Sequence, residues 1–151
     1  MSVYDKYESA IDTVVQLKEV PDAVLTEPIA PGKWSIKEIV GHMFYWDKFI
    51  LERMVPDMKK GKTLIPFPDH DTYNAEATGY IDKFNPMEVM DVFAETRKKL
   101  SGELQAIDST ERFTIVNEPG DFSPEKLVAI FVEHDEHHFR QIEDKLEHDG
   151  I

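Results

Sequence analysis

Apolar residues recur at three- and four-residue steps in four stretches of this chain, the signature of amphipathic helices. The first runs from about Val3 to Val20, with Tyr4, Tyr7, Ile11, Val14, Val15 and Lys18 on one face, and Pro21 stops it. Residues 21 to 33 follow as an irregular linker, because Pro28, Pro31 and Gly32 break regular helix. The second helix is predicted to start at Ser35, with Glu38 three residues on as a capping box. Ile36, Ile39, Val40, Met43, Phe44, Trp46, Phe49, Ile50, Leu51 and Met54 then cover most of its circumference. A helix so apolar is expected to be the most buried of its bundle. It is expected to kink at Pro56 and to end by Gly61.

Residues 61 to 85 read as a long connection with Pro66, Pro68 and Gly79, carrying at most a helical turn around Thr72 to Ala77. Such a length suits a crossover between the second and third helices. The third helix begins near Pro86 and presents Val89, Val92, Phe93, Thr96, Leu100, Leu104 and Ile107 to the core. A polar stretch follows, in which Thr114, Ile115 and Val116 suit a brief extended piece. Ser123 and Pro124 open the fourth helix, which reaches about His148 with Gly150 just beyond. The fold class expected is all-α, a four-helix bundle with a long crossover between helices 2 and 3, spanning residues 1–151 as a single domain.

Composition narrows the chemistry. There is no cysteine, so any metal must sit on histidine, carboxylate or water, and any reacting thiol must come from outside. The net charge of −13 opposes phosphate backbones, and no nucleic-acid partner is expected. The lysines Lys59, Lys60 and Lys62 read as helix-end residues complementing the dipole. No apolar run is long enough to cross a bilayer and no signal peptide is apparent, so a cytoplasmic location is expected. The apolar surplus of the second helix suggests a homodimer.

Three of the six histidines fall in His134-Asp135-Glu136-His137-His138. Residues four apart share a helix face, whereas neighbours diverge by about 100°. His134 and His138 can therefore aim at one point. Leu127, Ile130, Phe131 and Ile142 define the expected inward stripe, with His134 and His138 in its middle and His137 at its edge. Buried imidazoles need partners for both nitrogens, which a metal ion and a hydrogen-bond acceptor together supply. A third ligand is expected from another helix, and His42, flanked by Ile39, Trp46 and Phe49, is the best placed. His137, Gln141 and Trp46 are expected at the rim or as supporting partners. His70 reads as a solvated loop residue, His148 as a dipole partner, and Glu133, Asp135 and Glu136 as mostly solvated. A di-iron Glu-x-x-His pattern is missing, since Glu133 and His137 are one residue too far apart. The metalloprotease run His-Glu-x-x-His fails at Asp135.

The stretches Gly32-Lys33-Trp34-Ser35-Ile36-Lys37-Glu38-Ile39-Val40-Gly41-His42 and Phe131 to Ile142 resemble the first and last signatures of the DinB-like superfamily. Asp71-Thr72-Tyr73-Asn74 resembles its Asp-x-Trp-Asn segment, with Tyr73 in the aromatic place. The resemblance implies a four-helix bundle with a crossover. It also implies one divalent metal ion (nickel, zinc or iron) on His42, His134 and His138. It further implies a metal-dependent transferase acting on a small-molecule electrophile with a low-molecular-weight thiol such as bacillithiol. The alternatives are a metal-dependent hydrolase using bound water and a non-catalytic metal- or ligand-binding bundle.

Overall fold

The computed structural model describes residues 2–58 and 61–151. Four long helices form a bundle. They are α1 (Val3–Gln16), α3 (Ile36–Phe49), α5 (Pro86–Gln105) and α6 (Pro124–His148), with a single turn α2 (Asp22–Leu25) and a crossover helix α4 (His70–Ile81) between them. Two short strands, β1 (Lys62–Leu64) and β2 (Phe113–Ile115), pair in parallel.

Local chemistry sets most helix starts. Ser35 accepts from the Glu38 amide while Glu38 accepts from the Ser35 amide, closing the expected capping box. Asn85 and Glu88 form another, with Pro86 in the first helical position. Ser123 caps α6 ahead of Pro124, and Gly150 adopts φ 75° just beyond its end, a conformation that suits glycine.

Several boundaries differ from the sequence pattern. The first helix tightens into a 3-10 turn at Leu17–Glu19 before reaching Pro21, and the linker after it contains the turn α2. After Phe49 the second helix widens into a π turn, Ile50–Met54, and tightens at Val55–Asp57 around Pro56. The extended piece near Thr114 is β2, one residue earlier than expected, and the Thr63 and Thr114 hydroxyls meet across the ladder at 3.0 Å. Lys62 lies in β1 rather than at a helix end, and Lys59 and Lys60 lie outside the described residues.

The largest departure is α4. In place of a loop with one turn, the crossover carries twelve helical residues capped by Asp69, which accepts from the Thr72 amide. Apolar periodicity is weak here because the helix is anchored by only a few contacts. Ala77 and Ile81 are its buried residues, and Ile81 packs onto Gly41 of α3. A Cβ on Gly41 would stand 2.1 Å from the Ile81 Cδ1, so glycine is what lets α4 come this close. The crossover thus takes up the apolar surplus of α3. Among the described residues the large apolar side chains left exposed are Val15, Val116, Ile130 and Ile151, none of them on α3. No described helix is long and apolar enough to cross a membrane.

Candidate metal centre and its cavity

α3 packs chiefly on α5, and α6 on α1, while α3 and α6 touch little. The gap between α3 and α6 is a cavity of about 250 Å³, bordered further by the start of α4 and the loop after β2. His42, His134 and His138 all line it, as do Trp46 and His70.

His42 is buried, stacked on Trp34 with ring centroids 3.7 Å apart. Its Nδ1 lies close to the Glu38 carbonyl oxygen, one helical turn back. That contact needs the ring proton on Nδ1, so Nε2 carries a lone pair. Around Nε2 stand the Asn74 carbonyl oxygen at 3.0 Å and the Thr78 hydroxyl at 3.1 Å. The carbonyl has no proton to give, and the Thr78 hydroxyl is also within 3.0 Å of that carbonyl. Nε2 is therefore poorly satisfied by protein groups, as expected of a nitrogen that can take a cation. Burial lowers the His42 pKa, opposed by the Glu38 and Asn74 carbonyls, which keeps the ring in the neutral form that metals bind.

His138 repeats the arrangement. Its Nδ1 meets the Gln141 side-chain oxygen at 3.0 Å, leaving Nε2 as the free nitrogen. Burial lowers its pKa, opposed by the Gln141 hydrogen bond and reinforced by the adjacent His137. Gln141 thus orients the His138 ring. The Trp46 indole N–H donates to the Asn74 side-chain oxygen at 3.0 Å and so ties α3 to α4 beside His42.

His134 differs from its expected setting. It is exposed and stacks on Phe131 with ring centroids 5.4 Å apart. The inward line of α6 runs through Leu127, Val128, Val132, Asp135, Ile142 and Lys145, so its centre passes through Asp135 rather than His134. Ile130, taken as core, is likewise exposed. Both face the cavity side of α6, where α3 does not close over them. His137 is exposed and does not line the cavity. His148 is exposed in the last turn of α6, as a dipole partner would be. Among the described residues no three histidine or acidic side chains stand close enough, as placed, to share one ion. Three imidazoles are a donor set that fits a divalent ion, although as placed they do not converge on one point.

His70 is not in a loop. It is the first residue of α4, its backbone fixed by the Asp69 cap, and its ring meets Trp46 edge-on at 5.3 Å on the cavity border. Asn74, part of the motif but with no role evident in the sequence, accepts from the Trp46 indole through its side chain and stands beside the His42 Nε2 with its backbone carbonyl.

The floor of the cavity was not legible in the sequence. Arg97 of α5 is 1% exposed and lies between Asp47 of α3 and Asp135 of α6. Its Nε and Nη2 donate to Asp47 at 2.8 and 3.1 Å, and its Nη1 and Nη2 donate to Asp135 at 2.7 and 3.1 Å. Nη1 also donates to the Tyr7 carbonyl of α1 at 3.0 Å, and the Tyr7 ring lies 3.8 Å under the guanidinium. All five N–H groups are used, and one side chain joins all four bundle helices. Burial pushes the Asp47 carboxyl up to about 6, against the lowering effect of the Arg97 charge, so it is ionised at neutral pH. Asp135 is accordingly a buried ion-pair partner, not a solvated acid. The available signal was register: Arg97 follows Phe93 by four and precedes Leu100 by three, and Asp47 lies four after Met43 and three before Ile50.

Comparison with known proteins supports this architecture. The solved structure of YfiT from Bacillus subtilis, described as a probable metal-dependent hydrolase with an unusual four-helix bundle topology, superposes with a TM-score of 0.69. The match covers 98% of this chain and 84% of that one at 15% identity, so it speaks to the fold. No curated protein sequence matches the chain. The family model of the DinB superfamily matches residues 7–142, which takes in α3, the crossover and the histidine-bearing part of α6. The chain therefore belongs to the DinB superfamily.

Proposed function

We propose that this protein holds one divalent metal ion on His42, His134 and His138 and uses it in hydrolysis of, or transfer to, a small electrophile. The observation that carries the reading is the matched state of His42 and His138. Each comes from a different helix, lines the same cavity, and has Nδ1 held on an oxygen acceptor, so that Nε2 is the nitrogen carrying the lone pair. Metal-binding histidines are oriented in this way. YfiT, which shares the fold, is described as a probable metal-dependent hydrolase.

Nickel, zinc and iron all suit imidazole donors. When bound, the ion would supply Lewis acidity that lowers the pKa of a water or a thiol. The chain's own groups do the rest. Glu38 and Trp34 fix the His42 ring, Gln141 fixes His138, and Phe67, Phe131 and Trp46 form an apolar wall of the cavity. A second reading is attack on the electrophile by a low-molecular-weight thiol such as bacillithiol in place of water. It draws on the absence of cysteine, which leaves any thiol to be supplied from outside.

Metal analysis of the purified protein tests the proposal. About one ion per chain is expected, lost in His134→Ala and His138→Ala, because two ligands rarely hold a divalent ion well. Protein that carries no ion, and takes up none when offered zinc or nickel, would overturn it. Thiol consumption during turnover separates transfer from hydrolysis.

A further inference from the structure

Three donor atoms beside His42 stand at the corners of a nearly equilateral triangle. The His42 Nε2 is 3.0 Å from the Asn74 carbonyl oxygen and 3.1 Å from the Thr78 hydroxyl, and that hydroxyl is 3.0 Å from the carbonyl. Hydrogen bonds do not account for all three edges. The His42 ring proton lies on Nδ1 against the Glu38 carbonyl, so Nε2 and the Asn74 oxygen both present lone pairs. The one proton within the triangle is that of the Thr78 hydroxyl. The edge between Nε2 and the carbonyl therefore sets lone pair against lone pair, an arrangement that a shared cation relieves. The edge length points to the kind of cation. Neighbouring donors around an octahedral ion with bonds of about 2.1 Å lie about 3.0 Å apart, whereas those around a tetrahedral ion lie about 3.4 Å apart. The triangle matches the octahedron.

We propose that the Asn74 carbonyl and the Thr78 hydroxyl are further donors to the ion on His42, which is therefore six-coordinate. The inference rests on reading His42 as a metal ligand, but not on the histidines of α6. Together with His134 and His138 these oxygens leave one of six positions for water or substrate. A mixed set of imidazole nitrogens and neutral oxygens in octahedral array suits nickel, iron or manganese better than zinc, which proteins usually hold four-coordinate. The crossover helix thereby gains a task. Thr78 precedes Ile81 by three residues, so the docking of Ile81 on Gly41 sets the distance between the α4 oxygens and His42.

Cobalt(II) is the probe, because its visible absorption is weak in six-coordinate sites and intense in four-coordinate ones. The full chain is stripped of metal with chelator, and cobalt is titrated in at neutral pH while the spectrum is followed. The wild type should take up cobalt with the weak spectrum, a result that needs no variant. Thr78→Val keeps the shape of the side chain and removes the hydroxyl. It should bind cobalt about ten-fold or more weakly and absorb more strongly. Thr78→Ser restores a hydroxyl and should recover both affinity and spectrum. An intense four-coordinate spectrum in the wild type would overturn the proposal. So would a Thr78→Val protein that matches the wild type in affinity and spectrum. No uptake by the wild type would overturn it too, since a proton and not an ion would then sit on Nε2. Failure of the three-histidine reading looks different: His134→Ala and His138→Ala would keep cobalt while His42→Ala and Thr78→Val lose it.

Discussion

The floor and the wall of the cavity hold polar groups in opposite states. At the floor, Asp47, Arg97 and Asp135 form a closed network in which each guanidinium N–H has an acceptor. On the wall, His138 has one nitrogen engaged and one left over, and the His42 Nε2 has only the Thr78 hydroxyl as a possible donor. A saturated network fixes geometry, because any movement breaks hydrogen bonds in a low-dielectric setting. An unsaturated nitrogen is available to a ligand. Floor substitutions should therefore cost the fold, and wall substitutions should cost binding.

Arg97→Met should have the largest effect. It leaves two buried carboxylates facing each other, and breaking a buried pair by removing one partner costs about 3–5 kcal/mol. Urea unfolding measures this as a lowered midpoint. Replacing Asp47, Arg97 and Asp135 together by apolar residues should recover most of the loss, since a whole buried ion network can often be exchanged for apolar packing at little cost. A triple variant as unstable as Arg97→Met alone would mean the network does more than neutralise its own charges.

Gly41→Ala comes next. The added methyl collides with Ile81, and overpacking of this kind typically costs about 1–3 kcal/mol. Because α4 carries Asn74, which accepts from the Trp46 indole N–H, the variant should also perturb the indole N–H signal of Trp46 in NMR spectra. Stability and signal both unchanged would show that α4 is not held where Gly41 and Ile81 place it.

The wall histidines should behave differently. His134→Ala lies at an exposed position, and surface changes usually stay within about 0.5 kcal/mol. Its unfolding midpoint should barely move while metal content falls. His137→Ala should change neither, because His137 does not line the cavity. A His137 variant that loses metal while the His134 variant keeps it would reverse the assignment of ligands.

The smallest effect is on pH dependence. His42 and His138 have pKa values lowered by burial, so the unfolded chain binds protons that the folded chain does not. Their contribution to stability is complete above the unfolded histidine pKa near 6.5 and is lost as pH falls through the lower folded values. Asp47, raised to about 6, acts in the opposite sense: its contribution to stability is fully present below the unfolded carboxyl value and is lost as pH rises through about 6. Comparing unfolding midpoints at pH 7.5 and 5.5 in the wild type and His138→Gln isolates the histidine part. The variant should lose less stability on acidification. An unchanged slope would show that His138 does not titrate with a lowered pKa.

Where sequence and structure part company, the cause is non-local. Ser35 with Glu38, Pro86 and Ser123 with Pro124 mark helix starts because capping involves groups within three residues of one another. The pairing of His42 with the α6 histidines was legible through spacing and motif, and the structure lines one cavity with all three. The setting of His134 was not legible. A stripe drawn through Ile130 and Phe131 places His134 in the core, whereas one drawn through Val128 and Val132 places Asp135 there. The choice between them belongs to Arg97, a residue 38 positions away.

From its own residues, this chain determined the four amphipathic helices and their starts, since these follow from periodicity and short-range hydrogen bonding. Tertiary structure decided the rest. It turned α6 so that Asp135, not His134, faces the guanidinium. It drew a weakly patterned crossover into α4 by docking Ile81 on Gly41, and it buried the apolar surplus of α3 under that helix. The physical reason is common to all three. Rotation and docking of helices depend on which side chains meet across the bundle, and one guanidinium with five donors fixes three partners from three other helices in a way that no single helix encodes.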